Sequence, residues 1–224
     1  MTSDSGRGRI LDVATRLFAA LGYDGTSTRL IAEAAGLNIA TVAYHVGGKR
    51  DLYLAVMERA HQKERAALEA ALAEAFGGGS EGSSLEEAVT LDASALLRLL
   101  DRYIDFCAEN PEIPALWMHR WLSDAADVAH LENLYVKPLM ELVTDAVRQV
   151  VDDDVDVEYV VWSVIWCTHG FGRGGVLDEN GRRRGMDDPR ELARFRAHLH
   201  RLVAAALRLP PEPDRPGGPS PDAG

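Results

Sequence analysis

The sequence predicts an all-α fold, and three observations carry that reading. Apolar residues recur at helical spacing through most of the 224 residues. Proline is absent from residues 1–110, while six of the ten prolines crowd into 210–221, so the body lacks helix breakers and the tail is full of them. No two segments alternate as partner strands would. The stretch Val157 to Cys167, rich in Val, Ile and Trp, is the one place where a strand competes, and it is read as helix for want of a partner.

The elements follow in order. Ile10, Val13, Ala14, Leu17, Phe18 and Leu21 make one apolar stripe that stops at Gly22. Thr26-Ser27-Thr28 supplies capping hydroxyls for a second helix of about two turns, Arg29 to Ala35, which Gly36 ends in the left-handed conformation. Asn38 is a good N-cap for Ile39 to His45, another two turns, broken by Gly47-Gly48. A long helix is expected from Lys49 to about Ala75. Further helices are expected over Leu85–Ala108, Ala115–Ala125, Ala129–Val151, Val157–Gly170 and Pro189–Leu209, the last opened by Asp188 and Pro189 as cap and first helical residue. Gly77 to Ser84 reads as a flexible joint, and 210–224 as a disordered tail.

Composition bounds the function classes. Hydrophobic residues at 46% and charged residues at 26% match an ordinary globular chain and exclude global disorder. The longest uncharged apolar run, Tyr159 to Gly172, falls short of the roughly 20 residues that span a bilayer. Met1 to Arg7 has no apolar stretch of the kind that directs export. Cys107 and Cys167 alone give no disulfide framework, so a reducing cytoplasm is the expected location. The net charge of -11 argues against coating nucleic acid along the whole chain. Residues 1–65, however, hold nine basic and seven acidic side chains, so a polyanion is expected to meet the first quarter of the chain.

Two short helices joined by Gly36-Leu37-Asn38 suit a helix-turn-helix, whose second helix enters the major groove. That second helix is poor in charge and carries Thr41, Tyr44 and His45. Lys49 and Arg50 open the next helix, where the macrodipole disfavours cations unless an anion binds there. A plainer reading competes: Tyr44 and His45 as packing residues, and Lys49-Arg50 as a solvated pair offset by Asp51.

The order Ala14, Leu17-Phe18, Gly22-Tyr23, Thr26-Ser27-Thr28-Arg29, Ile31-Ala32, Ala35-Gly36-Leu37, Thr41-Val42, Tyr44-His45, Lys49 and Leu52 resembles the DNA-binding domain of tetracycline-repressor-type (TetR) regulators. The resemblance implies a three-helix N-terminal domain, a larger helical domain that binds a small ligand and dimerises, and double-stranded palindromic DNA as partner. On matching positions, Thr28, Tyr44, His45 and Lys49 would hold phosphates. Arg29, Ile39, Ala40, Thr41 and Ala43 would face base edges, with Asn38 at the entry of the recognition helix. Three positions depart from the family pattern: Ala43 replaces a usual tyrosine, Val46 a common phenylalanine, and Gly48 a frequent serine or asparagine. The first puts operator identity in question. The domains are expected at 1–52 and 53–209, the long helix connecting them from Lys49.

Beyond about residue 60 the resemblance fades and chemistry must speak. All four tryptophans lie between Tyr103 and Phe171. Phe106, Trp117, Trp121, Tyr135, Trp162, Trp166 and His169 are the candidate wall of an effector pocket, with His119 and Cys107 as further polar groups. The expected ligand is flat or polycyclic and largely apolar, an apolar or aromatic small molecule; an aromatic core or dimer seam is the alternative. Val157, Val160, Val161, Val164 and Thr168, with the heptad-spaced Leu192, Phe195, Leu199, Leu202, Ala206 and Leu209, are candidate dimer stripes. Those stripes serve equally well packed inside one protomer.

Rival classes fare worse. Gly170-Phe171-Gly172-Arg173-Gly174-Gly175 matches a dinucleotide-binding fingerprint, but no βαβ unit surrounds it, so it reads as a loop between helices, as does the Arg182-Arg183-Arg184 run. His198 and His200 point to different faces, and Cys167 and His169 lack partners at zinc spacing, so no metal is expected. With no cofactor or catalytic constellation legible, an enzyme is not expected. A helical dimerising adaptor would leave the first 55 residues unexplained.

Overall fold

The computed structural model describes residues 2–76, 93–122 and 130–209. Nine α-helices run through them: α1 Thr2–Gly25, α2 Thr28–Ala35, α3 Ile39–Val46, α4 Lys49–Phe76, α5 Ala93–Glu109, α6 Glu112–Leu122, α7 Lys137–Arg148, α8 Val157–Gly174 and α9 Pro189–Ala206. A π-helical turn, Glu132–Val136, leads into α7, and β1 (Val176–Leu177) pairs antiparallel with β2 (Arg183–Arg184). The expected joint at 77–84, the first turns of the helix expected from Leu85, and the tail at 210–224 lie outside the described residues. No described helix is long and apolar enough to cross a membrane.

The first four helices form where capping chemistry directs. Gly22 (φ 73°, ψ 175°) interrupts α1, and the buried Thr26 hydroxyl donates to the carbonyls of Gly22 (2.8 Å) and Leu17 (3.2 Å), fixing the corner into α2. Ser27 caps α2 by accepting from the Leu30 amide at 3.1 Å. Gly36 closes it at φ 65°, and its amide bonds back to the carbonyls of Ala32 and Glu33. Asn38 Oδ1 accepts from the Thr41 amide at 2.7 Å to start α3, and Asp51 reaches back to the Gly48 amide at 3.0 Å to start α4. Ile10, Ala14, Phe18, Ile31, Val42, Leu52, Tyr53 and Met57 fill the core among these helices. Phe18, Tyr23 and Tyr53 form an aromatic cluster with ring centroids 4.8 to 6.2 Å apart.

The same core continues into the second half of the chain. Ile113, Ala115, Leu116 and Trp117 of α6 join it, with α1 lying against α6. The helix α4 passes unbroken between the two halves. Its Leu52 to Ala60 stretch belongs to the N-terminal core, while Leu68, Ala71, Leu72 and Ala75 pack against the later helices. A boundary at residue 52 would therefore cut through the buried Tyr53, Val56 and Met57, and the last N-terminal core residue is Ala60.

Three sequence expectations change. The glycine-rich run at 170–174 is not a loop: α8 continues through Gly174, and Gly175 ends it at φ 61°. Next, 176–184 is a short hairpin. Arg184 pairs with Asp178 and Asp188, and Asp178 accepts from the Asn180 and Arg182 amides. Only Arg182 and Arg183 of the basic triple stay exposed. The helix expected over 129–151 carries the π turn, which places Tyr135 on the His61 ring (4.5 Å, stacked) and sends Val136 inward.

Candidate nucleic-acid interface and ligand cavity

Val42 anchors α3, with Val46 packed beside it on the same core. Val42 is 1% exposed in the N-terminal core, while Ile39 is 50% exposed and Tyr44 85%. Asn38, Ala40 and Ala43 also face outward, so α3 presents a nearly continuous outer face. Thr41 is half-buried, and its hydroxyl donates to Asn38 Oδ1 at 2.9 Å, which ties it to the cap as well as to that face. At the rim, Arg29 is exposed at the start of α2 and Thr28 half-buried beside it. Lys49 stands over the Tyr23 ring, its Nζ 4.3 Å from the centroid, a cation–π contact that holds the ammonium at the N-terminus of α4. His45 is less open than its neighbours. Its ring packs edge-on to Tyr44 and meets α1 at Gly6, where a Cβ would come within 3.4 Å of Nε2. Arg9 of α1 donates to the Ala35 carbonyl at the end of α2. The helix-turn-helix is thus clamped from behind by α1 and uncovered in front.

A cavity of about 190 Å³ runs among α4 to α9. It exceeds the roughly 150 Å³ apolar void known to hold benzene. Phe106, Trp117, Trp121 and His169 of the predicted set line it; Tyr135, Trp162 and Trp166 do not. Tyr135 is taken by His61. Trp162 packs edge-on behind Trp121 at 5.6 Å, and Trp166 stacks on Trp162 while remaining 50% exposed. The reason is helical geometry: at α8 only the Val160, Val161, Val164, Ile165 and His169 side turns inward, so the i, i+4 tryptophans sit off that stripe. Of the two further polar groups, His119 meets Arg173 at 3.1 Å and Cys107 is buried beside Tyr103.

Of the candidate dimer residues Val160, Val164, Leu192, Phe195, Leu199 and Leu202, only Leu199 is fully buried in the protomer, and the other five stay partly exposed. Leu199 is 0% exposed, Val160 and Val164 line the cavity, and Phe195 stacks on Phe171 at 4.3 Å. Leu192 and Leu202 pack against the same cluster. All six touch the protomer's own core, since α8 and α9 lie against α5, and the five partly exposed ones keep apolar surface outside it.

Sequence reasoning missed the polar floor of the cavity. Glu64, on the stripe that continues through Ala67, Leu68 and Ala71, accepts from the Trp117 indole N–H at 2.9 Å. Burial outweighs that hydrogen bond and pushes its carboxyl up to about 7. Tyr103 O–H and His169 Nε2 are 2.8 Å apart. Burial lowers the imidazole to about 4, so it stays neutral, and lifts the Cys107 thiol to about 12. The other His169 ring nitrogen, Nδ1, is buried with no hydrogen-bond partner among the described residues. An acidic residue on an otherwise apolar helical stripe was the available signal for Glu64.

Residues 10–56 match the family model described as bacterial regulatory proteins, tetR family. This segment belongs to the TetR family. Solved structures similar to the chain extend the likeness beyond the TetR-type segment. The TetR family transcriptional regulator PfmR from Thermus thermophilus is 24% identical, with a TM-score of 0.62 over 90% of this chain and 98% of that one. The fatty acid degradation regulator FadR from Bacillus halodurans is 13% identical, with a TM-score of 0.64 over 92% and 97%. The ketosteroid transcriptional regulator KstR2 of Mycobacterium tuberculosis is 15% identical, with a TM-score of 0.62 over 89% and 93%. At these identities the likeness establishes the TetR-type fold over both halves. No curated protein matches significantly. The glycine fingerprint at 170–175, lying at the end of α8 with no strand before it, has none of the strand-turn-helix context that dinucleotide binding requires.

Proposed function

We propose that the protein is a sequence-specific DNA-binding transcriptional regulator, a homodimeric repressor released from a palindromic operator by a small apolar or aromatic effector. The observation that carries the reading is the outer face of α3, exposed at Ile39, Ala40, Ala43 and Tyr44 while Val42 and Val46 hold the inner side, and rimmed by Arg29, Thr28 and Lys49. Ile39, Ala40, Thr41 and Ala43 are positioned for base edges, with Arg29 as a bidentate reader of guanine. Thr28, Tyr44 and Lys49 supply phosphate contacts. His45, partly covered by α1, contributes through its exposed edge.

The dimer uses the surface of α8 left open by the protomer. Tyr159 (66% exposed) and Trp166 (50% exposed) lie on it with Cys167 and Gly170. The partly exposed Val160, Val164, Leu192, Phe195 and Leu202 expected from sequence extend the apolar surface available to the dimer. A two-fold axis there sets two recognition helices about one DNA turn, roughly 34 to 36 Å, apart.

Effector and DNA sites share two elements. Trp117 and Trp121 belong to α6, which packs on α1 behind the helix-turn-helix, and Glu64 belongs to α4, which begins at Lys49. A ligand that repositions α6 or α4 changes the spacing of the recognition helices. Lowering operator affinity a thousandfold takes about 4 kcal/mol of preference for the released state. Mobility shifts with the protein's own upstream DNA, repeated with Tyr44→Ala and Lys49→Ala, test the reading. A retarded band lost or weakened in both variants supports it; no binding to any upstream fragment overturns it.

A further inference from the structure

The cavity holds one unbalanced charge. Arg102 lines it, but its guanidinium is bound through two nitrogens to Glu74 at 2.8 and 3.0 Å. Arg65, one residue from Glu64 on α4, pairs with Glu69 at 2.7 Å. Tyr103 and Cys107 of α5, His169 of α8 and His61 one turn earlier on α4 are titratable groups near Glu64; burial lowers both imidazoles, and none of the four is a cation at neutral pH. From α6 comes the Trp117 indole N–H, while the buried Arg120 of the same helix pairs with Glu132 at 3.5 Å. Among the described residues Glu64 therefore has a hydrogen-bond donor and no counter-ion, in a cavity whose remaining wall is Leu, Val, Ile, Ala, Met and aromatic rings.

Around that carboxyl the rings are ordered. Trp117 stacks on Trp121 at 6.2 Å, and Trp121 on His169 at 5.4 Å with 9° between planes. Ring faces attract cations, most strongly when both are desolvated. A carboxylate in an apolar wall repels an anion and gives a neutral head no charge to match. From Trp117 the lining extends through Val164 and Val147 to Val203 and Leu207, an apolar channel suited to a hydrocarbon body.

We propose that the cavity binds a lipophilic monocation, an amine or quaternary ammonium on an apolar body, with Glu64 as its counter-ion and the rings of Trp117, Trp121 and Tyr103 around its head. The proposal rests on the effector reading of the cavity and narrows it to one charge class. Glu64 is about half protonated at pH 7 in the empty protein, so binding the cation there releases about half a proton per molecule into solvent.

A head-group series at constant chain length tests it on the full chain: dodecyltrimethylammonium, dodecanol and dodecanoate, each below its micelle concentration, titrated by calorimetry and tryptophan fluorescence. The cation is expected to bind at least tenfold more tightly than the alcohol at pH 8. It should lose affinity several-fold by pH 6 and release protons at pH 7, read as a dependence of the binding heat on buffer ionisation. Glu64→Gln should lower cation affinity about tenfold and leave the alcohol within twofold. The pH dependence in the unaltered protein stands whether or not the variant folds. Equal binding of cation and alcohol, tighter binding of dodecanoate, or an equal effect of the variant on all three overturns the charge assignment while leaving an apolar effector site. If none of the three binds, the effector reading falls with it.

Discussion

Replacing Glu64 with glutamine should make the protein more stable, and increasingly so as pH rises. The folded carboxyl titrates at about 7 against a usual 4.5. A folded value above the unfolded one means that stability is fully present below 4.5 and is lost as pH rises through 7. The difference of about 2.5 pH units, at about 1.4 kcal/mol each, sets an upper limit of about 3 kcal/mol. Between pH 5 and 8.5 the unaltered protein should lose about 2 to 3 kcal/mol relative to Glu64→Gln, whose amide oxygen keeps the Trp117 hydrogen bond. Urea denaturation of both proteins at equal concentration, at pH 5, 7 and 8.5, measures it. Comparing the two proteins matters because His169 acts with the opposite sign. Its folded value of about 4 lies below 6.5, so its contribution is lost as pH falls. A Glu64→Gln variant destabilised equally at all three pH values would refute the burial argument.

Other expectations follow from single contacts. Tyr44→Ala should leave stability within about 0.5 kcal/mol, since the ring is 85% exposed, while weakening operator binding in mobility shifts. Lys49→Ala should weaken DNA binding across sequences and reduce the salt slope of log affinity by about 1. Asn38→Ala should cost about 1 kcal/mol in thermal or urea unfolding, because the Thr41 amide loses its cap. Leu199→Ala should cost about 2 to 5 kcal/mol of protomer stability, whereas Trp166→Glu should shift sedimentation toward monomer with little change in unfolding. The reverse pattern would restore the α9 seam as the interface.

The sequence was most legible where local chemistry dictates backbone shape. Ser27, Gly36 and Asn38 each announce a helix end by a side chain or a missing one, and each does that work in the structure. Helix faces were harder. Leu199 and Trp166 are both apolar residues on amphipathic helices, yet one faces α5 and the other solvent, a difference set by long-range packing that spacing cannot resolve. For the cavity, counting aromatics found Trp117, Trp121, Phe106 and His169 but not Glu64 or Tyr103, whose roles come from partners 53 and 66 residues away. Gly170 to Gly174 misled because glycine's turn preference was overruled by an α8 whose flanks are packed.

Hydroxyl-radical footprinting of genomic sites bound by the purified protein reads out how α3 and its two-fold mate meet DNA. Two protected half-sites related by a palindrome are expected, with centres about one helical turn apart, and both should vanish when Ala43→Glu places a carboxylate on the outer face of α3. Protection that survives this substitution, or that follows no two-fold pattern, would contradict two-fold docking through α3.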